Sequence, residues 1–381
     1  MNTDLNEFIR NNNQELFDLL EKLCRIPAPS GQEHKRALFC KEWLEKNGAK
    51  GVYIDDAINV IVPMNCEKSD EISVFVAHTD TVFSETEEML LTDEGDILRC
   101  PGICDDTASL AVLLISVKYF IENKIRFPKG ALFVCNSCEE GLGNLRGTRQ
   151  IFKDYANRIS QFISFDSLFE DIANRCVGSH RYKITVSTEG GHSYLAFGKK
   201  NAIHELSKMV DEIYKIDVPV IGDSKTTYNV GIISGGTSVN TIAQQASMVC
   251  EYRSDNVQCL EKMKTKFYEI FDAARTEETE VAVEVVGERP CMMDMDTREI
   301  DRMYVTTKGI IEAVTGQKVR SIYSSTDCNI PLSLGIPSLC VGVCDGGGRH
   351  TREEWLIKSS LPKGLEIGIK IIMDLAQGAQ V

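Results

Sequence analysis

The chain has 381 residues, 43% of them hydrophobic and 26% charged, with a formal net charge of −14 at pH 7. That length is more than one hydrophobic core usually organises, so two domains are expected, and the composition excludes a disordered or fibrous chain. The acidic balance, with no basic run or basic–aromatic stripe to offset it, excludes nucleic acid as a partner.

Met1-Asn2-Thr3-Asp4 has no basic segment leading into an apolar one. No signal peptide is read, and a cytoplasmic protein is expected. Residues 16–26 repeat Leu and Phe at helical spacing. Ser30-Gly31-Gln32-Glu33 has the form of a capping box, Ser30 accepting from the first turn and Glu33 reaching back, ahead of an amphipathic helix over 36–47. Strands follow at 59–63 and 72–77, then an apolar helix over 107–121, then strands at 130–135 and 162–165. A buried strand over 336–343 comes after the break at Gly335. The longest apolar stretch, 108–121, is too short to span a bilayer and contains Lys118, so no membrane association is expected. The 14 cysteines are scattered rather than framing a small domain, which predicts free thiols in a reducing compartment. Cys135 and Cys138 fit C-x-x-C, but no second pair accompanies them as a zinc site would need, so they read as packed thiols.

Strands alternating with helices predict an α/β fold: a mostly parallel sheet with helices on both faces. The middle of the chain differs. Strand (182–188), helix (201–215), strand (227–234), strand (245–253), helix (257–274) and strand (280–286) follow one another. That order is a ferredoxin-like α+β unit able to fold by itself. The predicted organisation is residues 1–178 and 289–381 as one split α/β domain, with residues 179–288 inserted as a smaller one.

Five polar clusters fall just after predicted strands: His78-Thr79-Asp80, Asp105-Asp106, Glu139-Glu140, Asp166 and Gly346-Gly347-Gly348-Arg349-His350. In an open α/β sheet the functional crevice lies beyond the carboxyl ends of the strands, so the five are expected to converge. Singly, each has an ordinary reading: a satisfied polar His, or a solvated acidic face. Together, neighbouring carboxylates in one crevice repel unless protonated or neutralised by cations. Two His with several carboxylates are nitrogen and oxygen donors suited to Zn, Mn or Co.

The string Val76-Ala77-His78-Thr79-Asp80-Thr81-Val82 resembles the His-x-Asp signature of the co-catalytic dinuclear zinc exopeptidases, the family of peptidase T, carboxypeptidase G, aminoacylase and succinyl-diaminopimelate desuccinylase. Gly102-Ile103-Cys104-Asp105-Asp106, Glu139-Glu140-Gly141, Phe165-Asp166-Ser167 and His350-Thr351-Arg352-Glu353-Glu354 match the family's other motifs in order, and the likeness is greatest to peptidase T-like tripeptidases. The resemblance implies two divalent ions, Zn with Mn or Co as alternatives. Asp105 would bridge them, His78 and Asp166 completing one site and Glu140 and His350 the other. Glu139 would be the general base toward a metal-bridging water, and Asp80 would hold the His78 imidazole. The peptide bond after Asp105 is expected to be cis.

Gly190-Gly191-His192-Ser193 matches the family's lid motif, in which the His serves the site of a partner subunit. The resemblance therefore implies a homodimer through the inserted domain. Asn240, in Gly235-Gly236-Thr237-Ser238-Val239-Asn240, and Arg253 match positions that orient substrate, Arg253 on a terminal carboxylate. The chain departs from the family where Asp106-Thr107-Ala108-Ser109 follows the bridging Asp. Asp166, rather than Glu, resembles the peptidases more than the aminoacylases. The expected activity is metal-dependent hydrolysis of an amide bond in small peptides. An N-acyl amino acid amidohydrolase is the first alternative, and a non-catalytic binding protein on the same fold the second.

Overall fold

The computed structural model describes residues 2–84 and 86–377. The chain separates into two compact units, Met1–Cys176 with Asp294–Val381, and Val177–Met293. The first unit opens with α1 (Asn2–Cys24), α2 (His34–Lys46), β1 (Tyr53–Ile54), β2 (Val60–Met64) and β3 (Ile72–His78). It continues with α3 (Ala108–Glu122), β4 (Gly130–Asn136), α4 (Arg146–Tyr155), β5 (Ile159–Leu168) and β6 (Asp171–Cys176). The second unit contains β7 (Gly178–Ser187), α5 (Ala202–Ile213), β8 (Thr226–Gly235), β9 (Gln245–Ser254), α6 (Val257–Ala273) and β10 (Glu280–Arg289). The chain then returns to the first unit through α7 (Arg298–Thr315), β11 (Arg320–Ser324), α8 (Asn329–Ser333), β12 (Ser338–Cys344) and α9 (Leu361–Gln377).

The eight strands of the first unit form one sheet in the order β1-β2-β4-β3-β5-β12-β6-β11. Its centre is parallel, β4 with β3, β3 with β5 and β5 with β12. Antiparallel pairs sit to either side, β2 with β4 and β12 with β6. Every residue of β3, β4 and β12 is buried. That burial explains their continuous Val, Phe, Leu and Cys content: a strand covered on both faces has no polar face to alternate with. Helices α1, α3, α7 and α9 pack on one another, and α3 and α9 also contact the strands. A short antiparallel ribbon of Thr92–Asp93, Ile97–Arg99, Trp355–Ile357 and Gly346–Gly347 ties the segment before Asp105 to the one around His350.

The second unit is a four-stranded antiparallel sheet, β8-β9-β7-β10, whose buried residues pack with α5 and α6 around Tyr182, Tyr252, Phe267 and Phe271. The β-α-β-β-α-β order is that expected, and both helices begin at an Asn whose side chain accepts from the first turn, Asn201 from Ile203 and Asn256 from Cys259. Edge strand β8 leaves Ile232 and Ile233 exposed. All 14 cysteines are free and buried, and burial pushes the Cys138 thiol up to about 12. Among the described residues no helix is long and apolar enough to cross a membrane.

The expected capping box differs in one half. Glu33 does reach back, its Oε1 accepting from the Gly31 N–H at 2.8 Å, but the Ser30 hydroxyl donates to Asp80 Oδ2 at 2.6 Å instead of capping α2. Asp166 lies within β5 rather than beyond it. Ser164 pairs with Cys340 and Ser167 with Gly342, so Phe165 and Asp166 together face Val341 alone. Such a bulge re-aims one side chain, here the carboxylate.

Candidate metal centre

His78 ends β3, and the turn after it is bound on several sides. Arg36, buried, donates to the Thr79 carbonyl at 2.8 Å and to the Leu23 and Ile26 carbonyls. The Asp80 carboxylate accepts from the Glu139 N–H at 3.0 Å, from the Glu140 N–H at 2.9 Å and from Ser30. One carboxylate thus fixes the end of β3 relative to the turn after β4. From the other side, Glu33 Oε1 accepts the Cys138 N–H at 3.1 Å. Asp80 also lies against His78, whose Nδ1 is 3.0 Å from its carbonyl and 3.5 Å from Oδ1. Burial pushes the Asp80 carboxyl up, but His78, Ser30 and the Glu140 N–H outweigh it and hold it below its usual value.

Asp105 sits in an irregular turn that opens at Gly102, whose φ of 75° lies in the left-handed region. A Cβ there would come within 2.6 Å of Thr81 Cγ2, so both the conformation and the space call for glycine. The Glu354 carboxylate holds this turn, accepting from the N–H groups of Gly102 at 2.8 Å, Cys104 at 2.8 Å and Asp105 at 2.9 Å. The Asp105–Asp106 bond is cis. Asp106 Oδ2 accepts the His78 N–H at 2.9 Å, so the second acid serves the backbone of β3.

The result brings His78, Asp105, Glu139, Glu140, Asp166 and His350 together. Asp105 Oδ1 is 3.2 Å from His78 Nε2, and Oδ2 is 3.0 Å from His350 Nε2. His350 Nε2 also lies 3.1 Å from Glu140 Oε1. Three groups have donor atoms within 4.8 Å of one another: His78, Asp105 and Asp166; Asp105, Glu140 and His350; and His78, Glu139 and Glu140. The first two share Asp105.

The electrostatics of the centre favour cations. Burial would lower His78, yet Asp105 and Asp80 raise it well above its usual value. Hydrogen bonds to Asp105 and Glu140 push His350 up to about 10. Burial pushes Asp166 up to about 6 and Asp106 well above a usual carboxyl. For Asp105 burial acts the same way, but Arg349, His350 and His78 prevail and hold it well below. Carboxylates crowded in a buried crevice draw protons onto the imidazoles; all-nitrogen-and-oxygen donors in that setting suit divalent ions of the Zn, Mn or Co class.

The sequence gives Arg349 and Glu354 no role and Ser30 and Glu33 only that of a helix cap, yet Arg349, Ser30 and Glu354 touch the centre and Glu33 holds the turn before Glu139. Arg349 Nη2 is 2.8 Å from Asp166 Oδ1.

His192, Asn240 and Arg253 belong to the second unit. His192 pairs with Thr241 in a two-stranded ribbon, and the Ser193 N–H donates to the Asn240 carbonyl at 2.9 Å, so His192 and Asn240 are neighbours. Tyr194, Leu195, Phe197 and Val239 beside them are exposed. The Arg253 guanidinium is engaged by Glu251, Nε to Oε1 at 2.7 Å and Nη2 to Oε2 at 3.1 Å.

The chain is similar to known proteins over most of its length. Residues 74–374 match the model of peptidase family M20/M25/M40. A succinyl-diaminopimelate desuccinylase from Corynebacterium glutamicum is 23% identical over 344 residues, 88% of this chain and 90% of that protein. Carboxypeptidase G2 from Pseudomonas sp. is 23% identical over 321 residues, 80% of this chain and 74% of that protein. Among solved structures, aminopeptidase PepT from Bacillus cereus superposes with a TM-score of 0.73 at 21% identity, covering 95% of this chain and 98% of that one.

Proposed function

The chain belongs to peptidase family M20/M25/M40 and is a hydrolase of that family; from that premise we propose that it hydrolyses an amide bond in small peptides, from a free terminus. The observation that carries this reading is the pair of donor groups sharing Asp105, with Glu139 and Glu140 beside His78. His78, Asp105 and Asp166 would hold one divalent ion and Asp105, Glu140 and His350 the other, zinc by the donor set, with Mn or Co as alternatives. When bound, the two ions supply Lewis acidity toward the scissile carbonyl and activate water near neutral pH.

The chain's own residues do the rest. Glu139, on the turn whose N–H groups Asp80 fixes, takes a proton from the attacking water and passes it to the leaving amine. Asp80 orients the His78 ring. In the second unit, Arg253 would leave Glu251 to meet a substrate carboxylate, Asn240 would help to orient the chain, and His192 would donate to the oxyanion. We assign His192 to the site of a second copy. In support, β8 is an edge strand with Ile232 and Ile233 exposed, and Tyr194, Leu195 and Phe197 near His192 are exposed as well, apolar surface that a homodimer could cover.

A second reading, removal of an acyl group from an amino acid, is favoured by the similarity to the desuccinylase over most of both chains. Turnover of dipeptides, tripeptides and N-acyl amino acids with Zn, Mn or Co separates the two. Peptide cleavage with little deacylation supports the first, the reverse the second, and no turnover of any kind points to a binding protein.

A further inference from the structure

Arg349 delivers a fixed positive charge into the crevice. Its Nη2 lies 2.8 Å from Asp166 Oδ1 and its Nε 3.6 Å from Asp105 Oδ2, and these carboxylates are two of the three donors in the His78 group. A guanidinium stays charged at any working pH and matches carboxylates with a rigid fork of donors, so it stands where a cation would stand. The fit is incomplete. Nε is buried with no hydrogen-bond partner, and its nearest oxygen is beyond hydrogen-bond reach.

The backbone separates Arg349 from its neighbour. Gly348 has φ of 72° and His350 φ of 62°, both left-handed. Two successive residues thereby reach different acids, Arg349 reaching Asp166 and His350 reaching Glu140, while both approach Asp105 Oδ2. The Arg349 side chain is 31% exposed, so it has a solvent side to withdraw to.

We propose that Arg349 is a built-in cation competing for the Asp166 carboxylate, and that it must withdraw from Asp166 before His78, Asp105 and Asp166 can hold a divalent ion. The two halves then fill in order. Asp105, Glu140 and His350 take the first ion, and His78, Asp105 and Asp166 take the second more weakly, because binding there must break the Arg349–Asp166 pair. This rests on the metal-centre reading above.

The test is Co²⁺ titration of the metal-free full chain, followed by visible absorption, with bound metal counted after dialysis. Wild type, Arg349→Gln and Arg349→Met are compared. Wild type should take up one tight and one weaker equivalent. Both variants should bind the second about tenfold or more tightly, the range expected on removing a charged hydrogen bond that competes with the ion, with a smaller gain for the first, whose Asp105 Oδ2 lies 3.6 Å from Arg349 Nε. Two equivalents bound equally tightly by all three proteins would overturn the proposal and leave the metal centre standing. No binding by any of them would overturn both. Should neither variant fold, crystal structures of wild type with and without Zn²⁺ decide. Arg349 should leave Asp166 when that half is filled, and an ion there with the pair intact would refute the displacement.

Discussion

Replacing Glu354 by Gln or by Ala separates what one buried carboxylate does for the turn that carries Asp105. Oε1 accepts the N–H groups of Cys104 and Asp105, at 2.8 and 2.9 Å, and Oε2 that of Gly102, at 2.8 Å. Gln keeps one acceptor. Turned toward Cys104 and Asp105, it presents its NH₂ to the Gly102 N–H and orphans one donor, at a cost of about 1–3 kcal/mol. Ala orphans all three, roughly 3–9 kcal/mol before relaxation, which is comparable with the ~5–15 kcal/mol that holds a typical protein folded. At about 2–4 °C per kcal/mol for a unit of this size, Gln should lower the melting temperature by roughly 2–12 °C. Ala should lower it severalfold more. Scanning calorimetry of metal-free protein is the assay, because bound metal would add its own stabilisation. Gln and Ala melting together, or both melting with wild type, would show that Glu354 does not hold the turn.

Glu139→Gln should keep its metal and lose about 10²–10⁴-fold in turnover, whereas Glu140→Ala should lose metal and recover partly when metal is added; equal metal loss in both would remove the distinction between base and ligand. Mixing Glu139→Gln chains with His192→Ala chains should restore roughly a quarter of wild-type activity through the one intact site of each mixed dimer. No recovery after verified subunit exchange would exclude a shared site. In the second unit, burial pushes His180 below its usual value, with Glu288 and Glu261 opposing and Lys264 assisting, and its Nδ1 is 2.7 Å from the Tyr252 hydroxyl. Below about pH 6.5 the unfolded chain therefore takes up a proton that the folded one resists. Stability is complete above that pH and falls as pH drops through it; His180→Gln should flatten the melting temperature between pH 7 and 5, and an unchanged slope would rule His180 out as its source.

The alternation of elements was readable because burial imposes it: β3, β4 and β12 are apolar throughout, and the chemistry-bearing residues follow at or near their ends. What stayed hidden depends on contacts between distant segments. Ser30 has the look of a cap, yet its partner is Asp80, 50 residues on. Glu354 stands in the motif that begins at His350, but its hold on the Gly102–Asp105 turn shows only when that turn is brought to it across 250 residues. The bulge at Asp166 is set by pairing with Val341 and leaves no local mark. Arg253 was readable in one respect. Glu251 and Arg253 are two apart on a strand and so share a face, where the structure pairs them, although the family resemblance implies a substrate carboxylate for Arg253.

The place of β12 between β5 and β6 has a consequence for synthesis on the ribosome. Cys176 closes β6, and Ser338 opens the strand that must slot in beside it, with the whole second unit made in between. At about 5–20 residues per second this interval lasts roughly 8–30 s. Throughout it β5 and β6 lack the neighbour that joins them, while the second unit, complete by Met293, can already fold. Arg349, His350 and Glu354 arrive later still, so nascent chains carry the centre's donors other than His350 and lack the Glu354 brace on the Asp105 turn. Chains stalled before residue 338 would therefore expose two open strand edges, and they should be held by chaperones or degraded rather than accumulate as partly active enzyme.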